Sequence, residues 1–400
     1  MAKLSHHLRL VLLLGLVATC STPAFAQVTR PTRSLYLGSI LNVTSAGSNQ
    51  EATSAARQVG RHEPILLDLT LYPDGFAYGR LSLPGRGLVV AGSGTLQQGT
   101  DLRMVFNEPR GSNAAWGPKL AHDLATSDRS AEGTRGAEAR PADTKTTVIA
   151  SFSGRRESGF SSAGRTISGS LSITAYPGTV LTTELQRFAE FSTWEFSQGR
   201  IHAAVTAPHV VVGGEALNEL LESSQRGRLE RFVNEGQDYA SDGILGWAWE
   251  LEEYVTIEGV AGSYLSLLNS IYTYTGGAHP NTFFNSYLYE LRPSGVTEVT
   301  LDQLFRSDSN WLSRLTPLIL SDLERQEASW VTQGQVTELT TVDLAAFTLG
   351  PSGLTFHFSP YSMGPYVQGS FAVTIEFGQL LGLAPAGGAL ELFARGAAFN

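Results

Sequence analysis

The sequence has a single cysteine, Cys20, in 400 residues. Cys20 falls within an N-terminal stretch that reads as an export leader. The rest of the chain can therefore form no disulfide, and it offers no thiolate nucleophile and no sulfur ligand for a metal. A lipoprotein reading of Leu16-Val17-Ala18-Thr19-Cys20 is weaker, because Thr19 is a poor residue before a lipidated cysteine. Charge is scarce as well: 16% of residues are charged, against roughly 25% in a typical soluble domain. Beyond the leader no apolar run approaches the roughly 20 residues of a membrane-spanning helix.

The standard catalytic signatures are missing too. No Gly-rich loop ends in Lys and Ser or Thr, and no dinucleotide fingerprint has the right spacing. No serine has glycine two residues away on both sides, which excludes a nucleophile elbow. Past the leader the histidines are His62, His122, His202, His209, His279 and His357. They are scattered, and no two are spaced to hold zinc on one helix. The sequence names no catalytic residue, no metal site and no cofactor.

Glycine, in contrast, is abundant, with 42 residues, and so many tight turns favour a β-rich architecture. The N-terminus has the parts of a signal peptide: basic Lys3 and Arg9, an apolar run from Leu10 to Ala18, and Ala24-Phe25-Ala26 before Gln27. The expected location is periplasmic or extracellular. Charge is unevenly spread. Gln27 to Thr193 holds 17 basic and 14 acidic residues, and Trp194 to Asn400 holds 9 and 23. So acidic a second half repels nucleic acid and anionic lipid and attracts cationic partners. The same acidity would also serve solubility alone.

Two domains are expected after the leader at residues 1–26. From Leu35 to Glu190 short apolar runs alternate with turn residues. Ile65 to Leu71, Phe76 to Leu83, Leu102 to Phe106 and Arg165 to Ile173 read as strands, with Pro73-Asp74-Gly75 as a turn. Strands at this spacing predict a β meander or barrel-like domain. The stretch 109–145 is poor in aliphatic residues and reads as a disordered loop within that domain. Residues 194–385 alternate strand blocks with helical ones. Glu195 to Val212 reads as one strand and Ala216 to Tyr239 as a helix. Trp247 to Ile257, Tyr264 to Tyr274 and Phe283 to Leu291 read as strands. Leu301 to Arg325 reads as largely helical, with Trp311, Leu315, Leu318, Ile319 and Leu323 on one side and Pro317 kinking it or starting its main helix. The predicted class is α+β overall: an all-β domain, then an α+β domain with an antiparallel sheet and packed helices.

Two segments are candidates for recognition. In Tyr272-Thr273-Tyr274-Thr275-Gly276-Gly277-Ala278-His279-Pro280, two glycines end a strand and permit positive φ, and Pro280 holds His279 extended. The result is an imidazole and two phenols on a stiff loop, a combination suited to sugars or protein surfaces. The second candidate runs from Phe356 to Gly369, where Pro360 and Pro365 restrict a loop carrying Tyr361, Met363 and Tyr366. The ligand-binding candidates are Tyr272, Tyr274, Gly276, Gly277, His279, Tyr361 and Tyr366. Each segment also has a purely structural reading, as a tight turn or as rings packed on their own domain.

These segments, in this order, resemble the C-terminal domain shared by RsiV-type lysozyme-sensing anti-sigma factors and PdaC-type peptidoglycan deacetylases. The resemblance rests on Tyr274 to His279, the strand Phe283 to Leu291, Leu301 to Phe305 leading into a helix, and Phe358 to Gly369. It covers roughly Trp194 to Leu380. It implies an α+β fold at the cell envelope and makes a cationic, lysozyme-like protein or peptidoglycan the expected partner. It carries over neither activity, since the chain shows no anti-sigma segment, no membrane span and no deacetylase metal ligands. Two alternatives stand beside a binding role. One is a structural envelope component. The other is a wall-modifying hydrolase using His279 as base with Glu258 or Asp302. The sequence sets no oligomeric state.

Overall fold

A computed structural model describes residues 31–45, 63–107, 148–157, 165–176, 178–211 and 213–397. The expected leader, residues 1–26, and the expected disordered loop at 109–145 lie outside the described residues. The expected fold class is what the structure has: a mostly β molecule with an eight-stranded N-terminal barrel and a later α+β part.

The barrel is a meander of β1 (Thr32–Ser45), β2 (Pro64–Leu71), β3 (Phe76–Leu83), β4 (Leu88–Gln97), β5 (Asp101–Asn107), β6 (Val148–Arg156), β7 (Thr166–Ile173) and β8 (Thr179–Gln198). Antiparallel pairing of β1 with β8 closes it. The expected turn after β2 is present: Gly75 has φ +86° and Asp74 Oδ1 accepts from the Phe76 N–H at 2.9 Å. Strand alternation sends Tyr36, Leu67, Leu69, Leu81, Met104, Phe106, Phe152 and Leu185 inward, where each is nearly or fully buried. Gly154 and Gly169 are cross-strand partners. A Cβ on either would lie within 3 Å of the Phe152 ring, so glycine there makes room for that ring. The outward positions Ser93, Arg103, Ser151, Ser153, Ser168 and Ser170 are exposed. An apolar interior with a polar exterior is the inverse of a membrane-spanning barrel.

β8 does not stop at the barrel. Its second half, from Ala189 onward, pairs with β9 (Ile201–Val210). The junction expected between Glu190 and Trp194 therefore falls inside one continuous strand. Glu195 to Val212, expected as a single strand, is instead the end of β8, a turn with Gly199 at φ +60°, and β9. Helix α1 (Glu215–Ser241) then carries the chain across to β10 (Trp249–Ala261), which lies parallel to β9. A parallel partner needs a crossover of about a dozen residues or more, and α1 supplies it. The other pairings are antiparallel, through β11 (Tyr264–Tyr274), β12 (Asn281–Arg292) and β13 (Gly295–Glu298).

Leu301–Leu304 forms a 3-10 turn closed by a capping box of Thr300 and Gln303. Helix α2 (Trp311–Arg325) follows, with Pro317 inside it and not at its start. Trp311, Leu315, Ile319 and Leu323 make its buried stripe, whereas Leu318, expected on that side, faces outward. A short helix α3 (Ser329–Thr332) leads to a second sheet of β14 (Phe347–Leu349), β15 (Gly353–Phe358) and β16 (Phe371–Glu376). This sheet and α2 share a core with Ala261 and Leu288 of the main sheet. The second sheet therefore covers one end of the β10–β12 surface. Ser266 Oγ accepts from the Leu349 N–H at 2.9 Å, and Ser286 Oγ from the Phe347 N–H at 2.7 Å. α1 covers the opposite surface, where Leu217, Leu221 and Val233 are buried.

The barrel is also tied to β10 directly. Arg80 donates to the Ile257 carbonyl at 2.9 Å and pairs with Glu258 at 3.2 Å.

Candidate functional site

The two candidate loops meet. β11 ends at Tyr274, and Gly276 and Gly277 follow at φ +100° and +97°, a region that glycine alone enters freely. A Cβ on Gly276 would also come within 2.6 Å of the Trp247 indole. Glycine is thus required twice over at that position, for its dihedrals and for its lack of a side chain. Tyr274 Oη donates to the Gly277 carbonyl at 3.1 Å and ties the loop back to its own strand.

The second loop, between β15 and β16, is fixed from below. Met363 is 2% exposed and anchors it in the core. The Trp330 N–H donates to the Met363 carbonyl at 3.2 Å. Gln368 accepts from the Ser329 N–H at 3.0 Å and donates to the Glu327 carbonyl at 2.8 Å. Ser359 Oγ accepts from the Phe284 N–H at 3.3 Å, joining this loop to β12.

On that base His279, Tyr361 and Tyr366 form a ring cluster. The His279 and Tyr366 rings stack at 3.8 Å with an interplanar angle of 15°. The Tyr361 and Tyr366 ring centres are 5.7 Å apart. Nδ1 of His279 lies 2.8 Å from the Pro280 carbonyl, which can only accept, so Nδ1 carries the proton. Nε2 is then the acceptor for the Tyr361 hydroxyl at 3.1 Å. Tyr361 holds φ +68°, an uncommon conformation for an aromatic residue. The cluster faces solvent: Tyr361 is 49% exposed and the neighbouring Val367 is 89% exposed.

Strand parity extends this surface. Glu250, Glu252 and Tyr254 share one side of β10, and Tyr272 and Tyr274 share that side of β11. Glu250 pairs in register with Tyr274, and Glu252 with Tyr272. His202 of β9 pairs with Glu250 and adds an imidazole to the same side. An acidic and aromatic strip thus runs along the sheet beyond the part covered by β14, with Glu250, Tyr272 and Tyr274 half-buried and Glu252 5% exposed. The sequence reading placed Tyr272 and Tyr274 but missed the two glutamates. The signal was available in the alternation Glu250-x-Glu252-x-Tyr254, although only the β10–β11 register reveals its tyrosine partners.

Seven residues were expected to act together. His279, Tyr361 and Tyr366 touch one another; Tyr274, Gly276 and Gly277 shape the loop beneath them; Tyr272 sits further along β11, opposite Glu252 and Thr282. Trp247, which braces Gly276, was not foreseen. The carboxylates weighed as partners for His279 have other roles. Glu258 bonds Arg80 and Thr256, and Asp302 sits in the capped turn before α2.

On the other side of the same sheet, beneath α1, lies a second polar group. The fully buried Glu253 pairs with Arg228 at 3.0 Å and accepts from Asn269 at 2.6 Å. Burial pushes the Glu253 carboxyl up, with Arg228 and the hydrogen bonds of Asn269 and Gln225 opposing. His357, by contrast, is a neutral structural histidine. Burial pushes it down to about 4, against a weak pull from Glu258, and its Nε2 lies 2.8 Å from Thr348 Oγ1.

Residues 302–378 match the family model DUF3298, a protein of unknown function. The DUF3298 match contains the Tyr361–Tyr366 loop and ends before α4 (Phe377–Leu380) is complete, whereas the Gly276–His279 loop lies upstream of it. It falls within the region read above as similar to the RsiV and PdaC domain. Two solved structures are similar. One is a DUF3298 family protein from Pseudomonas aeruginosa PAO1, 14% identical, with a TM-score of 0.39, covering 50% of this chain and 93% of that one. The other is a DUF3298 family member from Bacteroides fragilis NCTC 9343, 13% identical, with a TM-score of 0.34, covering 51% of this chain and 97% of that one. Comparison with curated proteins gave no match.

Proposed function

We propose that this chain is an exported binding protein of the cell envelope, and that it recognises a cationic, wall-active protein of the lysozyme type. The observation that carries the reading is the solvent-facing His279–Tyr361–Tyr366 cluster beside the half-buried Glu250 and Tyr274. Rigid aromatic rings make strong contact points at little entropic cost, and carboxylates beside them favour lysine and arginine partners by charge and by cation–π contact. The excess of acidic residues after Trp194 steers such partners to this half of the molecule. A binding role fits His279 better than a catalytic one, because both its ring nitrogens are engaged within the cluster.

Peptidoglycan glycan is the second reading. The stacked His279 and Tyr366 rings also offer a face of the kind that packs against sugar rings.

Calorimetric titration of the leaderless chain with a cationic lysozyme, at low and physiological salt, tests both readings. Saturable binding is expected that weakens with salt, because exposed charges are screened beyond about 8 Å at physiological ionic strength. Tyr361→Ala and Tyr366→Ala should each weaken it at least tenfold, about 1.4 kcal/mol. Absence of binding at low salt removes the protein partner. Saturable, salt-independent binding of muropeptides would then put the glycan in its place.

A further inference from the structure

One mouth of the barrel is charged. Tyr36 points inward from β1 and is 1% exposed. Its register partner on β8 is Arg187, so the arginine side chain shares that inner face. Arg156, at the end of β6, pairs with Ile167, which is buried in the same interior. Both arginines therefore turn towards the barrel axis, from walls two strands apart. Their effect on one phenol places them together. Burial pushes the Tyr36 hydroxyl up, the Arg156 and Arg187 guanidinia pull it down, and Glu190 adds to the rise. Below them Leu69, Leu102, Ile167 and Leu185 fill the interior, each 1% exposed or less.

The two guanidinia outnumber the carboxylates beside them. Glu190 takes Nη1 of Arg187 at 2.6 Å. Arg156 has no ion pair and no side-chain hydrogen bond among the described residues. The Nε atoms of both arginines are buried, and neither has an acceptor among the described residues. A buried donor without an acceptor is costly, and more so when it carries charge. Two arginines and one glutamate leave one positive charge, which favours an anion over water as the missing acceptor. The rim residues Glu157 and Arg165 are exposed and opposite in sign. The Arg187 side chain is 16% exposed and Arg156 is half-buried, so solvent reaches both.

We propose that this barrel mouth binds a tetrahedral oxyanion of the phosphate class, held between Arg156 and Arg187. A guanidinium presents Nε–H and one Nη–H as a fork that takes two oxygens of one anion. Glu190 occupies Nη1 of Arg187 and leaves its Nε side for that use. A carboxylate meets two forks only when both lie in its plane, whereas a tetrahedral oxyanion offers each fork its own pair of oxygens. The filled interior beneath admits no tail. The site therefore takes free phosphate or the phosphate end of a larger molecule whose remainder stays outside. It is separate from the ring cluster and does not depend on the function proposed there.

The test is calorimetric titration of the leaderless full chain with inorganic phosphate at constant ionic strength. Saturable binding near one equivalent is expected, and acetate should bind at least tenfold more weakly. Arg156→Gln should weaken phosphate binding at least tenfold. Thermal melts separate a lost site from a lost fold. Without phosphate Arg156→Gln should melt no lower than the unaltered chain, since it removes an unmatched charge. With phosphate only the unaltered chain should rise. Glycerol 3-phosphate distinguishes the sources: affinity equal to that of phosphate assigns the site to a phosphate end group, and binding of phosphate alone assigns it to the free anion. Tyr361→Ala should leave phosphate binding unchanged, so failure here and failure of the lysozyme titration remain distinct. Four results would overturn the proposal: no saturable heat from the folded chain, acetate binding as tightly as phosphate, unchanged phosphate binding in Arg156→Gln, or a variant that melts lower whether or not phosphate is present. The last would make Arg156 a part of the fold.

Discussion

The barrel and the sheet that continues from it are built from the same strand geometry but bury different things. Inside the barrel the buried cluster runs from Tyr36 and Leu67 to Phe106 and Leu185, and the polar side chains buried with it on β8 are the uncharged Thr179 and Thr183. Its main buried charge, Asp68, lies outside that cluster and is matched by Arg33 at 2.6 Å. The sheet of β9 to β12 buries Glu252, Glu253, Ser266, Asn269 and Ser270, and α1 over it buries Gln225. Burying a charge is costly unless it is paired and hydrogen-bonded. A barrel that avoids most of that cost is a scaffold held chiefly by burial. A sheet that accepts the cost keeps polar groups on both faces, one side bearing the acidic strip and the other the Arg228–Glu253 pair.

The sharpest way to break the contrast is to damage each core in its own currency. Phe106 is fully buried in the barrel. Phe106→Ala should cost about 3–5 kcal/mol in urea unfolding through lost contact and the cavity left behind. Because the ring cluster lies on the other half, lysozyme affinity should survive wherever the variant stays folded. A matching loss of affinity would mean that the two halves do not behave as scaffold and site.

Arg228→Met attacks the sheet in the opposite sense, keeping volume and removing charge. It strands a fully buried carboxylate and should cost about 3 kcal/mol at neutral pH. The sign with pH distinguishes this from a packing defect. Burial already holds the Glu253 carboxyl above its ordinary value, and loss of Arg228 raises it further. As pH falls through that raised value the carboxyl takes up a proton and the penalty disappears, so the variant should regain stability towards pH 5 relative to the unaltered chain. A loss that stays constant from pH 7 to 5 would show that Glu253 is not the group left exposed to the penalty.

His357 gives a smaller effect of the other sign. Its folded value of about 4 lies below the roughly 6.5 of an unfolded histidine. The unfolded chain therefore binds the proton first as pH drops. The stability His357 permits is complete above pH 6.5 and declines as pH falls towards 4, by an amount on the order of 2 kcal/mol. His357→Gln should flatten that decline. Thermal melts of the two proteins at pH 7 and pH 4.5 measure the difference, and parallel curves would sink the assignment.

The barrel was legible in the sequence because its signal is local. Phe76 to Leu83 has the expected strand bounds, and Pro73-Asp74-Gly75 forms the expected turn; outside the barrel the same holds for the strand Tyr264 to Tyr274. What sequence could not supply was pairing. The same alternation that marks Glu195 to Val212 as extended cannot reveal that Gly199 turns the chain back, or that β9 finds β10 in parallel across α1. Of the two roles expected for Pro317, a helix start is not the one it has. It sits within α2, where Trp311, Leu315, Ile319 and Leu323 hold the helix to the core by burial. The site followed the same division. Its rings were visible as residues, but their contact depends on loops separated by some eighty positions, and the acidic strip depends on the register between β10 and β11.

The smallest stability effect tests the site most closely. Tyr361 occupies the left-handed region at φ +68° on a loop that Met363 and Gln368 hold from below. Asparagine enters that region far more readily than tyrosine. Tyr361→Asn removes the ring contacts with Tyr366 and His279 and relieves the backbone, two effects of opposite sign and each about 1 kcal/mol. The melting temperature should therefore barely move, while affinity for the cationic partner falls at least tenfold. Strain retained at an exposed residue that adds nothing to stability is what a recognition surface predicts. If Tyr361→Asn instead lowers stability by 2 kcal/mol or more, with binding unchanged, the ring is part of the fold and the surface lies elsewhere on the strip.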